Sequence, residues 1–298
     1  MRFATLSLIV FMILAVAPAQ AEPTKRALIV VGLPGDEAHE EQFTEAVVQI
    51  RSALTERFGF PSSNIAIYFG RDEETAEPDA FPTDGRGTRE EIAEAAKRLV
   101  TETAEDDVTW VVTIGHSYYD GRTAYFNIPD RDITHGQFGK AFKQLGGKST
   151  FLLCMPVSGF YIKEMSKPGR VIITSTEADV ETNATIFHTA IAKTMTEITT
   201  DSAFDLDKDG KVSLFDFYIT ATRNLSDLYL ENDPPLIATE HPQLDDNGDG
   251  RGSELQIDYL TIAQGGRSDA KRRRNFRRFK DGELAKATKL EIVSAPAQ

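Results

Sequence analysis

Short apolar runs alternate along this chain with longer stretches in which apolar residues recur every three or four positions. Residues 26–32 are apolar almost throughout and end in Gly32, the pattern of a strand buried on both faces. Residues 40–58 then set Phe43, Val47, Ile50 and Leu54 at helical spacing, and residues 65–69 read as a second strand. Thr88-Arg89-Glu90-Glu91 is a capping box opening a helix to about Thr103, with Ile92, Ala95, Ala96 and Leu99 on its inner face. Further strands are expected over 108–114, 150–154 and 170–175, and further helices over 134–145, 158–165 and 185–197, with a loop or hairpin at 118–130. Strands alternating with helices at this spacing predict an α/β fold, a three-layer α/β/α domain whose mostly parallel sheet is covered on both faces.

The two ends of the chain depart from that pattern. Arg2, a thin apolar core over 3–16 and the small-x-small site Ala19-Gln20-Ala21 predict a signal peptide, hence export to the periplasm or the exterior after cleavage behind Ala21. That stretch is too short for a membrane span, and no other segment is expected to cross a bilayer. The organisation expected is a signal peptide at 1–21, the α/β/α domain at 22–200, Asp/Gly-rich loops packed on it at 201–264, and a basic segment at 265–298. Within the last, the run from Lys271 to Lys280 reads as a solvated face balancing an acidic domain, with an anionic surface as the alternative partner. Residues 72–87, rich in acid, proline and glycine, read as an exposed loop.

Charge and cysteine count narrow the function. The net charge of −13 becomes −14 once Arg2 is removed, which argues against nucleic acid as the main partner. One cysteine, Cys154, rules out an internal disulfide; by composition it is buried filler or a reactive thiol. The thiol ends the strand over 150–154, and Gly115-His116-Ser117 ends the strand over 108–114. A histidine at the C-terminal mouth of a parallel strand is placed for acid/base work, because clefts in open α/β sheets form there. Gly-His-Ser after a strand also suggests a nucleophile elbow, but Tyr119 stands where the elbow needs glycine and Asp120-Gly121-Arg122 is turn-like rather than helical.

Taken with Thr88-Arg89-Glu90-Glu91-Ile92, the stretches Val111-Val112-Thr113-Ile114-Gly115-His116-Ser117 and Phe151-Leu152-Leu153-Cys154-Met155-Pro156-Val157-Ser158-Gly159 resemble the caspase/legumain group of cysteine peptidases. Phe126-Asn127-Ile128-Pro129-Asp130-Arg131-Asp132-Ile133 is similar to the segment after the histidine in legumain-like enzymes, and the resemblance spans about residues 26–197. It implies a caspase-like fold, His116 as general base and a cysteine nucleophile. Gly115 and Ser117 would form the oxyanion side, and Ser158, Thr174 and Ser175 would line the cleft; the family's glycine after the histidine is Ser117 here. In legumain-like members the nucleophile stands two residues before Ser-Gly, a place held here by Pro156. Cys154, two residues earlier, would face the same side about 6–7 Å further into the sheet. The resemblance therefore implies an exported peptidase homologue of weak or no activity, its cleft recognising a peptide or protein. The alternative is an active endopeptidase in which a bulged strand end brings Cys154 to His116. A thiol near the imidazole would mark the enzyme, and one packed under Phe151 and Met155 the binding module. The nearest match to the Arg-His pair that sets legumain specificity is Ala38-His39, so asparagine specificity is not implied, and His39 reads as a helix-start residue.

Two loops predict calcium. From Asp205 to Asp216, oxygen ligands fall at positions 1, 3, 5, 9 and 12 (Asp205, Asp207, Asp209, Ser213, Asp216), with Gly210 at position 6 and the Lys211 carbonyl at 7. A second loop repeats the spacing with Asp245, Asn247 and Asp249; its twelfth position is Gln256, for which Glu254 could substitute. A structural Ca²⁺ clamp is the expectation, against a plain Asx-rich turn for the second loop.

Overall fold

The computed structural model describes residues 22–71, 81–178, 181–231, 238–266 and 281–293; the signal-peptide pattern and the basic run at 271–280 lie outside them, as does most of the acidic loop. The main sheet has six strands, β1 (Lys25–Val31), β2 (Ile65–Phe69), β3 (Val108–Ile114), β7 (Lys148–Cys154), β8 (Arg170–Thr174) and β9 (Gln243–Asp245). Across the sheet they stand in the order β2-β1-β3-β7-β8-β9. All pair in parallel except β9, which joins β8 antiparallel. A small antiparallel sheet, β4 (Ser117–Tyr119), β5 (Ala124–Phe126) and β6 (Ile133–Thr134), replaces the loop or hairpin expected after His116.

The strands are apolar on both faces, and each face feeds its own core. Ala27, Ile29 and Val31 of β1, with Trp110, Val112, Ile114, Leu152, Cys154 and Ile173, pack on one side against α1 (Glu37–Glu56), α5 (Phe187–Glu197) and α6 (Leu214–Leu230). Leu28, Val30, Val111, Phe151, Leu153 and Ile172 point the other way, towards α2 (Arg89–Glu102), α3 (His135–Phe142) and α4 (Gly159–Met165). That period of two is the alternation a doubly covered strand requires. The fold class is the one read from the sequence, a three-layer α/β/α sandwich.

The helix starts have local causes. Asp36 caps α1 through the His39 amide, and complete capping boxes open α2 at Thr88/Glu91 and α3 at Thr134/Gln137. Helix α5 begins at Phe187, two residues later than its spacing suggests, and has no cap of its own. The buried Glu240 carboxylate supplies one from across the chain, accepting from Ile186 N at 2.8 Å and Phe187 N at 3.2 Å. After residue 200 the chain is not an appendage: α6 packs into the first core, β9 extends the sheet, and α7 (Glu283–Ala287) returns against α6.

Candidate functional site

Strands β1, β3 and β7 end level with one another, so the loops leaving them meet at one edge of the sheet. Gly32 and Gly115 let those loops touch. A Cβ on Gly32 would lie 2.3 Å from the Asn127 carbonyl oxygen, and one on Gly115, whose φ is +149°, would lie 2.9 Å from the Phe126 ring. The approach is fixed by Gly32 N donating to Ile114 O at 2.8 Å and by Asn127 N donating to His116 O at 3.0 Å.

His116 is half-buried at this edge, with its Nε2 2.9 Å from the Pro34 carbonyl. A carbonyl only accepts, so Nε2 carries the hydrogen and Nδ1 is left as the basic atom. Burial lowers the pKa of His116, the Pro34 bond opposing it, so the ring is neutral at pH 7 and able to take a proton. Its walls are aromatic. His39 meets it edge-on at 4.6 Å between ring centroids, and Phe43 lies at 5.6 Å. His39, at the first turn of α1, is held by Asp36 at 2.8 Å. Behind Phe43, at 5.1 Å, sits His188 of α5, 1% exposed, with neither ring nitrogen hydrogen-bonded. Burial pushes its pKa down to about 4.

The strand register decides what faces the imidazole. Ile114 pairs with Cys154, so two residues further on His116 stands level with Pro156. Cys154 is fully buried beside Leu152 and Ile114, and burial, aided by Glu240, raises its thiol pKa well above the usual range. No hydrogen bond joins it to His116 among the described residues. Nor does it lie under Phe151 and Met155, which belong to the opposite core; period-two alternation sends it to the α1/α5 side. Val157, next to Pro156, has φ +51°, a strained value for a β-branched residue.

Ser158, Thr174 and Ser175 stand at this edge but are fully buried rather than open to a cleft. Ser158 Oγ accepts from the Ser175 and Thr176 amides at 3.1 and 3.2 Å, and Ser175 Oγ donates to Met155 O at 2.7 Å. They tie the turn after β7 to the end of β8. Ser117 Oγ is likewise consumed, donating to Tyr125 O at 2.6 Å. The exposed groups are Tyr118, stacked on Tyr125, and Tyr119, stacked on Phe160 at 4.3 Å. Pro34, which fixes the ring of His116, and the tyrosine pair were missed from sequence; Leu33-Pro34-Gly35 after an apolar run was the only signal. The largest cavity, about 400 Å³ around Trp110, Lys148 and Leu290, lies at the opposite, N-terminal end of the strands and has no part in this site.

The first Asp-rich loop brings one carboxylate oxygen each from Asp205, Asp207 and Asp209 within 4.8 Å of one another. Gly210 takes the left-handed conformation expected at position 6, with φ +88°. Asp216 and Ser213, expected as ligands, form the capping box of α6, and Asp216 also accepts from Leu206 N at 2.7 Å. In the second loop Asp245, Asp249 and Glu254 do not converge as a three-carboxylate group among the described residues. Asn247 and Asp249 instead accept from amides two residues on, at 2.8 and 3.0 Å, as Asx turns do. Glu177, Glu181 and His241 form another cluster, in which Glu181 bonds the His241 ring.

No protein-family profile matches this chain, and no curated protein does. Among solved structures it is similar to caspase-1 from Spodoptera frugiperda, with a TM-score of 0.46 and 10% identity over 75% of this chain and 86% of that one. At those values the likeness adds nothing to what the strand order and register show. No helix among the described residues is long and apolar enough to cross a membrane.

Proposed function

We propose that this chain is an exported peptidase-fold protein of the caspase/legumain type that holds peptide segments at the His116 edge and cleaves them weakly or not at all. The observation carrying this reading is the β3–β7 register: the residue level with the imidazole is Pro156, which has neither a nucleophile nor an N–H. The single thiol is two residues back in the core, protonated and without contact to a base. The exposed Tyr118 and Tyr119 beside His116 suit a peptide, since tyrosines offer large contact area at low entropy cost.

Digestion of a mixed peptide library, followed by mass spectrometry, tests this. The expected result is no cleavage, or a residual level unchanged by Cys154→Ser. Cleavage abolished by both His116→Ala and Cys154→Ser would replace this reading with an active cysteine endopeptidase.

A further inference from the structure

We propose that residues 205–211 bind a calcium ion through the carboxylates of Asp205, Asp207 and Asp209 and the Lys211 carbonyl, with Lys286 as the cation the metal must compete against. This inference does not depend on the peptidase reading.

Three clustered carboxylates on a surface loop are by themselves unremarkable. The pointer to a ligand is Asp207. Its side chain is only 6% exposed, and its Oδ1 is buried without a hydrogen-bond partner. A carboxylate oxygen in that state costs free energy unless a positive group meets it. The other oxygen has such a group, the Lys286 ammonium at 3.5 Å; Oδ1 does not. Burial and the neighbouring Asp216 and Asp209 raise the pKa of Asp207, the direction expected of a carboxylate crowded by like charges.

Donor chemistry selects the ion. Every available ligand is oxygen, which favours a hard cation over zinc or copper. The chain around it is flexible in shape rather than an octahedral frame, with left-handed Lys208 and Gly210 giving the tight turn of a calcium loop. Asp216 remains inside, holding Leu206 N and the start of α6 in place. Lys286 belongs to α7, and the same segment bonds the loop's exit through Leu214 N to Thr288 O and Leu290 N to Val212 O, both 2.9 Å. An ion here would join the N-terminus of α6 to the returning C-terminal segment.

The test is calorimetric titration of the chelator-treated chain with calcium chloride alone, magnesium chloride serving as control, alongside thermal melting. The wild type is expected to bind calcium in preference to magnesium and to melt roughly 5 °C or more higher when calcium is 100-fold above its Kd. Asp207→Asn should lower the stoichiometry by one. Asp209→Asn, at an exposed position where the fold is safe, should weaken the same site at least about tenfold. Lys286→Met, which keeps its stem over the Phe215 ring, should tighten it several-fold. Absence of calcium binding, or binding that Asp207→Asn and Asp209→Asn leave unchanged, would overturn the proposal.

Discussion

His188 places an imidazole where neither nitrogen can be satisfied, and its consequence is a stability that depends on acid. Its folded pKa, about 4, lies below the unfolded value, so the unfolded chain binds the proton first as pH falls. Stability from this group is present above about pH 6.5 and is lost progressively down to about pH 4. Glu240 acts oppositely. Burial raises its pKa to about 7, so its contribution grows as pH falls from about 7 towards its unfolded value. The wild-type profile is a sum, and the difference from His188→Phe isolates the histidine. Urea unfolding should show the variant gaining about 2 kcal/mol on the wild type between pH 7.5 and pH 5. A constant difference across that range would mean that His188 finds a partner or water. His116 was legible in the sequence because a polar residue after seven apolar ones marks a strand mouth. His188 was not, since inside an amphipathic helix a histidine carries no sign of which neighbours it will meet.

At the scale of elements, the turn from β7 into α4 sets the chemistry, because it fixes what stands level with His116. Ser158 is its clamp, accepting two buried amides from the end of β8. Ser158→Ala would leave both donors unpaired, and should cost roughly 2 kcal/mol or more in equilibrium unfolding. A loss below about 0.5 kcal/mol would show that the turn is held by its backbone alone. The family resemblance led to Ser158, Thr174 and Ser175 as cleft residues; their position was legible, but not the fact that their hydroxyls would be spent on one another. Helices with local caps, α1 to α3, were readable to within a few residues. Where the cap comes from far along the chain, as Glu240 does for α5, local spacing misplaces the start. Strand β9 is three residues with one apolar side chain, too little pattern to be seen without the β8 edge it completes.

For the whole molecule, the change in character after residue 200 suggested a separate unit, yet α6, β9 and α7 close the same core and sheet. Composition registers acidic loops and turn residues but not the strand order that makes them part of one body. The alternation of strands and helices was enough to give the three layers, and the register between β3 and β7 was not, since it depends on both strands being placed together. That register carries the central claim, an imidazole edge without a nucleophile. Its most direct test is the rate of thiol alkylation by iodoacetamide from pH 5 to 9, for the native wild type and for Cys154→Ser combined with Pro156→Cys. The wild-type thiol should react only as fast as the protein unfolds. The relocated thiol should react at least about 100-fold faster, with an onset below that of a free cysteine that returns to normal in His116→Ala. A wild-type Cys154 that alkylates rapidly in the folded protein, with an onset set by His116, would contradict the account.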